Sequence, residues 1–295
     1  MSQNSLLLLS LTAVFGLMVG SFLNVVILRQ PKRMFFEWRQ QCQLLLDSDK
    51  QVSANENKTA AEADPIKAPP GIVKQRSFCP SCEHQLSALD NIPLFSYLFL
   101  RGCCRYCKKR ISIRYPLVEL LTALVSALVV WHFGYSIEAV YGLIFSWVLI
   151  VLSGIDIDHQ LLPDDIVLPL LWIGLIISLS GVGVSPNDAI IGAVAGYLIL
   201  WSIYQLFKLL TGKEGMGYGD FKLLAVLGAW LGWQMLPLIV LLSSLLGAVI
   251  GGILLIIRRK GSQPIPFGPY LAIAGWTALL WGDKLTGFYL SYFRL

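Results

Sequence analysis

The sequence predicts an all-α polytopic membrane protein of about eight transmembrane helices, with one hydrophilic domain inserted after the first. Three observations predict it. The 295 residues are 56 % hydrophobic and only 14 % charged, against roughly 25 % charged in an ordinary globular chain. The charges are clustered, with 15 Lys/Arg and 8 Asp/Glu in residues 29–115. Eight apolar runs lie outside that stretch, near the length of about 20 residues that crosses roughly 30 Å of hydrocarbon. Together these features exclude a disordered or fibrous chain and a conventional soluble enzyme.

The runs cover residues 5–28, 116–133, 140–155, 166–180, 189–210, 223–236, 238–257 and 271–290. The sixth is short and Gly-rich, and is the least secure as a separate span. No Lys or Arg precedes Ser5, whereas Arg29, Lys32 and Arg33 follow the first run. A secretory signal has the opposite polarity, so a retained anchor with its N-terminus outside is expected. With eight spans, segments 29–115, 156–165, 208–222 and 258–270 face the cytosol and carry 21 of the 23 Lys and Arg, as the positive-inside rule requires. The net charge of +5 is accordingly read as topology and attraction to anionic membrane lipid, with no nucleic-acid partner.

The chain divides into a first transmembrane helix (1–28), a polar cytosolic linker (29–71), a cytosolic domain (72–115) and a seven-helix block (116–295). The linker, rich in Gln, Ala, Asn and Lys and ending at Pro69-Pro70-Gly71, is expected to be irregular or loosely helical. No internal repeat is visible. Gly16 and Gly20, four apart on the first helix, permit close helix contact, and packing is their expected role.

Residues 72–115 carry Cys79-Pro80-Ser81-Cys82 and, 21 residues on, Cys104-Arg105-Tyr106-Cys107. In a reducing compartment such pairs point to metal, not disulfides. Each CxxC turn aims two thiolates at one ion, and two pairs complete a closed tetrahedral shell that suits structural zinc, with iron–sulfur and a redox dithiol pair as the alternatives. The insert is thus expected to be a cytosolic zinc-knuckle domain, with Cys42 and Cys103 free and His84 on the surface. The apolar segment 92–100 is too short to span, and fits an interfacial or re-entrant position.

A carboxylate inside a membrane span is costly and marks function by default. Two acid groups stand out: residues 154–165, with Asp156, Asp158, Asp164 and Asp165, and the Gly-rich segment 215–222, with Asp220. Helix parity puts Asp156, at the end of the third span, and Asp220, at the start of the sixth, in the same leaflet at similar depth. Two carboxylates sharing a site hold one proton between them, leaving one base and one acid, as peptide hydrolysis needs. Gly215, Gly217 and Gly219 would let a substrate backbone approach. A proton or cation relay and structural ion pairs through Lys213 or Lys222 are the alternatives. Asp158, Asp164 and Asp165 are equally read as solvated or capping residues. Glu119 is expected to pair with Arg114 or serve a helix start, and Asp188 and Asp283 to be interfacial on the outer side.

The ordered set of motifs resembles the type IV prepilin leader peptidases, most closely the bifunctional prepilin peptidase/N-methyltransferases of Gram-negative bacteria. It begins with Gly20-Ser21-Phe22-Leu23-Asn24-Val25-Val26, Arg29 and Pro31, and continues through both CxxC pairs and residues 111–119. It ends with Asp156, Leu162-Pro163-Asp164, Gly217-Tyr218-Gly219-Asp220-Phe221-Lys222 and Pro264-Ile265-Pro266-Phe267-Gly268-Pro269. The resemblance implies a GxGD-type aspartyl endopeptidase of the cell inner membrane with its site facing the cytosol. Asp156 and Asp220 would be catalytic, and Cys79, Cys82, Cys104 and Cys107 would hold zinc. Such enzymes remove the basic leader from type IV prepilins and type II secretion pseudopilins. They then methylate the new N-terminus with S-adenosylmethionine, serving the pilus or type II secretion assembly machinery. The resemblance also places methyl transfer in the cytosolic insert, near the knuckle; no residues are assigned to the methyl donor, and the linker is given no chemistry.

Overall fold

A computed structural model describes residues 3–53, 68–73, 75–87, 89–258 and 266–293. The described residues are all-helical, with two isolated β-bridges and no longer strand. The helices are α1 (Gln3–Ser53), α2 (Phe95–Phe99), α3 (Arg114–Phe133), α4 (Ile137–His159), α5 (Asp164–Leu179), α6 (Pro186–Thr211), α7 (Tyr218–Leu231), α8 (Leu236–Arg258) and α9 (Gly268–Phe293).

Six of the eight apolar runs lie wholly inside one helix (α1, α3, α4, α6, α8 and α9); the run 166–180 ends one residue past α5, and the run 223–236 fills most of α7 but continues through a short turn to the first residue of α8. Among the described residues five segments are long and apolar enough to cross a membrane: those of α1, α3, α4, α6 and the stretch Trp233–Ile253 that includes most of α8. Their outward faces carry exposed Leu, Ile, Val, Phe and Trp side chains in quantity, a surface that lipid solvates and water does not. The protein is therefore a membrane protein. Residues 54–67 of the linker, together with Pro264 and Ile265, lie outside the described residues.

The boundary expected at residue 28 is not a helix end. Helix α1 continues through Pro31 to Ser53 as one 51-residue element. Residues 32–50 contain no Gly and no Pro but three Gln, three Leu, two Arg and two Lys, and these are strong helix formers. Of the two expectations for the linker, irregular or loosely helical, its first half takes the helical one, continuous with the first span.

Helix α7 is the centre of the block. Phe221, Leu223, Leu224, Val226 and Leu227 are fully buried, apolar on all sides as a helix inside a bundle must be. Its 14 residues make it about 21 Å long. Backbone contact with α6 is close. A Cβ on Gly192 would stand 2.2 Å from the Gly228 carbonyl oxygen, and one on Gly196 would stand 2.5 Å from that of Leu224. The first half of the chain uses the same device. A Cβ on Gly20 would lie 2.7 Å from Glu119 Cα, and one on Gly16 would lie 2.8 Å from Ala123 Cα, so both glycines seat α1 on α3.

Candidate active site and metal centre

Asp156 sits in the last turn of α4 and Asp220 in the first turn of α7. Both are buried, at 5 % and 8 % exposed. The fold brings them from 64 positions apart in the sequence onto one open cavity of about 460 Å³. The backbone N–H of Gly268, at the start of α9, donates to Asp156 Oδ2 at 3.0 Å. A helix N-terminus favours a negative group at that position.

Asp164, Asp165 and Lys222 line the same cavity, but the neighbouring acids are each engaged by another side chain. Asp158 pairs with Arg114, whose guanidinium also donates to the Gly154 carbonyl at 3.0 Å. Asp164 takes both its bonds from Lys222 Nζ, at 2.7 and 2.8 Å. Asp165 accepts from Gln30 of α1 at 3.2 Å. All three are exposed, as expected, but lie in α4 or α5 and not in a loop, and Pro163, not an Asp, is the N-cap of α5. Lys222 therefore neutralises Asp164 and leaves Asp220 to the cavity.

The glycines around Asp220 divide by role. A Cβ on Gly215 would strike the Phe207 ring at 2.8 Å, and one on Gly219 would strike Leu162 Cβ at 2.8 Å. Both are packing positions. A Cβ on Gly217 would meet only Asp220 Oδ2, at 3.9 Å, and this is the glycine that leaves room before the carboxyl group.

The sequence reading missed two contributors. One wall of the cavity is the extension of α1, through Met34, Glu37, Trp38 and Gln41. Phe35 on the same extension packs edge-on to His159, with centroids 5.8 Å apart. The other is Gly268, whose motif was visible but whose partner was not.

In the hydrophilic insert the four predicted cysteines converge, with ligand atoms all within 4.8 Å of one another. The Cys79 and Cys107 sulfurs are 3.8 Å apart. Tetrahedral zinc with Zn–S of about 2.3 Å needs sulfurs about 3.8 Å apart, so the donor set fits that ion. Burial works against charge on Cys79, yet hydrogen bonds from the Ser81 and Cys82 backbone and from neighbouring thiols bring it down to about 7. Against a bond from the His84 backbone, desolvation and the Cys79 and Cys107 thiols push Cys82 up to about 11. Sulfurs packed this closely share charge poorly among themselves, and a dication resolves the conflict.

The two knuckles also repeat one another, contrary to the sequence expectation. Cys79 N–H bonds to His84 O and Glu83 N–H to Cys79 O; 25 residues on, Cys104 N–H bonds to Lys109 O and Lys108 N–H to Cys104 O. Bridges Phe78–Gln85 and Cys103–Arg110 keep the same offset, as do the left-handed Glu83 and Lys108. His84 stacks on Tyr106 with centroids 3.6 Å apart and is exposed. In segment 92–100, α2 presents Leu98 and Phe99 to the outside.

Glu119 does not pair with Arg114. Its Oε2 accepts the N–H of Leu94 at 2.8 Å. Asp188 takes bonds from Ser185, Trp233 and Gln234, tying the start of α6 to the turn after α7.

Two family models match the chain. Residues 14–133 match the bacterial peptidase A24 N-terminal domain, and residues 143–252 match the type IV leader peptidase family. A prepilin leader peptidase/N-methyltransferase of Stutzerimonas stutzeri is 54 % identical across 100 % of this chain and 98 % of its own length. Its namesake in Pseudomonas aeruginosa is 55 % identical across 95 % of this chain and 93 % of its own. The one in Legionella pneumophila is 45 % identical over the same shares. No solved structure matches the chain.

Proposed function

This chain belongs to the type IV leader peptidase family, and we propose that Asp156 and Asp220 are its catalytic pair. It is a membrane endopeptidase that removes the leader from prepilins and then N-methylates the new N-terminus. The observation that carries the pair is the shared cavity. Two buried carboxylates face one space while Asp158, Asp164 and Asp165 are each engaged by another side chain.

The chemistry follows from what such a pair can do. A water held between the two carboxyl groups loses a proton to one of them as it attacks the scissile carbonyl, and the other donates toward the carbonyl oxygen. The pair titrates as a unit, and no acyl-enzyme forms. The Gly268 N–H fixes Asp156, and the space before Gly217 admits an extended backbone. The leader, basic in this family, lies along the cytosolic face against α1 and the α4–α5 turn.

The reading extends to topology. All eight runs span the cell inner membrane, with α5 and α7 as short spans inside the bundle and the N-terminus outside. At about 21 Å, α7 falls short of the bilayer, which sets Asp220 below the cytosolic surface. Residues 1–28 anchor, 29–71 link, 72–115 form the zinc-binding unit and 116–295 carry the peptidase. Zinc on Cys79, Cys82, Cys104 and Cys107 acts as a staple without an open position. S-adenosylmethionine supplies the methyl group as a sulfonium cation. Pseudopilins are further substrates, anionic lipid is the surrounding medium, and the products feed pilus or type II secretion assembly.

The test is direct. Asp156→Asn and Asp220→Asn should each reduce leader removal from a purified prepilin below detection by mass spectrometry. Zinc content and membrane insertion should be retained. Near-normal processing by either variant overturns the assignment.

A further inference from the structure

The fold holds segment 92–100 at the level of the membrane. Helix α3 is one of those able to cross a bilayer, and it starts at Arg114. Glu119 lies five residues further on, about 7.5 Å along the axis, with its Cα against Gly20 of the α1 span. The N–H of Leu94, the residue before α2, donates to Glu119 Oε2 at 2.8 Å. Asn24 of α1 adds a bond from its Nδ2 to the Tyr115 carbonyl at 3.0 Å, which locks the first turns of α3 on α1. Helix α2 therefore begins level with those turns, beside lipid and not out in the cytosol.

The side chains of α2 divide accordingly. Tyr97 is turned to the protein, where its hydroxyl donates to the Ile111 carbonyl at 3.5 Å. The Ser96 hydroxyl donates to the Asp90 carbonyl at 2.6 Å. Phe95, Leu98 and Phe99 are 56 %, 64 % and 85 % exposed. Water is a poor solvent for such a patch, and the acyl boundary of a leaflet is a good one.

The cations beside this patch are not required by the fold. The two knuckles make the same turns 25 residues apart. Residues 77–85 of the first contain no Lys or Arg, whereas residues 102–110 of the second contain Arg105, Lys108, Lys109 and Arg110 and no acid. The turns are thus built equally well without positive charge. Arg105 is taken by Asp90, and Lys109 and Arg110 line a cavity between the domain and α1. Arg101, directly after the patch, and Lys108 are exposed, and among the described residues neither enters an ion pair. An apolar tip flanked by unpaired cations is complementary to an anionic bilayer surface.

We propose that residues 92–110 form a second membrane anchor: Phe95, Leu98 and Phe99 enter the acyl boundary of the leaflet, and Arg101 and Lys108 engage the phosphates of anionic phospholipid. The apolar tip continues the lipid-facing surface of α3, and the partner is the bilayer that α3 crosses. The first knuckle, with Glu83 and His84 exposed, then faces water, so the domain keeps one orientation against α1 and α3. The anchor is independent of the catalytic assignment and needs only that α1 and α3 cross a membrane.

The experiment uses the full, zinc-loaded chain in nanodiscs of equal parts phosphatidylcholine and phosphatidylglycerol. A photoreactive p-benzoylphenylalanine replaces Phe99 or, as the control, Gln85 of the first knuckle. Irradiation is followed by mass spectrometry of the adducts, and zinc content certifies the fold of each variant. The label at position 99 should yield lipid adducts enriched in phosphatidylglycerol by roughly fivefold over the bulk ratio for each cation engaged. The label at position 85 should yield few or none. Adding Arg101→Gln and Lys108→Gln should return the adducts at position 99 to the bulk ratio without abolishing them, because the apolar tip still inserts. Protein adducts alone, or none, at position 99 of a zinc-replete sample overturn the insertion. Lipid adducts equally abundant at position 85 overturn the orientation. A bulk ratio at position 99 with both cations present reduces them to a topology signal and overturns the headgroup contact.

Discussion

In the knuckle domain four sulfurs drawn from 29 consecutive residues meet through two tight turns. In the helical block two carboxylates 64 residues apart meet because α4, α7 and α9 pack together. The first arrangement is local, carried by a few short turns. The second is not. It depends on helices approaching to backbone contact, as Gly192 and Gly228 do when each would place a Cβ within 2.2 Å of the other's carbonyl oxygen. One site is specified by spacing along the chain, the other by fit between distant surfaces. Damage should therefore stay within one half.

The largest expected effect tests this separation. Structural zinc in small domains contributes about 10–16 kcal/mol of apparent binding free energy, far more than a unit of this size gains from its core. Cys104→Ser, or stripping the ion with a strong chelator, should unfold residues 72–115 and abolish methyl transfer. The helical block should keep its thermal transition. Limited proteolysis reads the first outcome as new cuts within 72–115, and circular dichroism reads the second. Collapse of the whole molecule on zinc removal would mean that the halves are not independent.

This contrast also explains what the sequence disclosed. The CxxC pairs were legible because their meaning lies in their spacing. The eight helical runs were legible because apolar length is a local property. The meeting of Asp156 and Asp220 on one cavity was legible through parity, which places helix ends without knowing their neighbours. Contacts between distant elements were not. Glu119 had an obvious local partner in Arg114, five residues away, yet it takes the Leu94 N–H, and Arg114 goes to Asp158. The extension of α1 was hidden because its polar residues show no apolar stripe, although their helix propensity was in plain view. The 25-residue repeat of the knuckles was hidden because only the cysteines recur; the shared feature is a pattern of backbone bonds, to which Glu83-His84 and Lys108-Lys109 contribute equally well. Gly268 was seen as part of a motif, and only the fold supplies its target.

That target gives the second prediction, an intermediate effect confined to the helical block. A Cβ at Gly268 would stand 2.7 Å from Asp156 Oδ2, inside van der Waals contact. Pro269 at the next position has no N–H to replace the lost bond. Gly268→Ala should displace the Asp156 carboxyl by a fraction of an ångström to an ångström. A shift of that size costs on the order of 10²-fold in rate. The fall should appear in the rate of leader removal at saturating prepilin, with donor binding and zinc content unchanged. A loss of zinc in this variant would contradict the independence of the two halves.

The smallest effect lies inside the knuckle and separates its protein-made bonds from its metal. Asp90 links the two repeats. Its Oδ2 accepts the Ser87 hydroxyl at 2.7 Å, its Oδ1 faces Arg105 Nε at 2.7 Å, and Arg105 lies between the second pair of cysteines. The Ser87 hydroxyl foremost, with the Ser87 N–H and the Arg105 charge, outweighs burial and holds the Asp90 carboxyl below its usual range. A depressed carboxyl stabilises the fold fully above its unfolded value of about 3.9, and the contribution disappears as pH falls through the lower folded value. Acid also protonates the thiolates and releases the ion, so the wild-type curve alone mixes two processes. Ser87→Ala leaves the sulfurs untouched. It should cost about 1 kcal/mol at neutral pH, and the gap between variant and wild type should narrow below about pH 4, once Asp90 is protonated in both. A gap that stayed constant into acid would assign the Ser87 contribution to neutral turn geometry and leave the Asp90 charge without a part in joining the repeats.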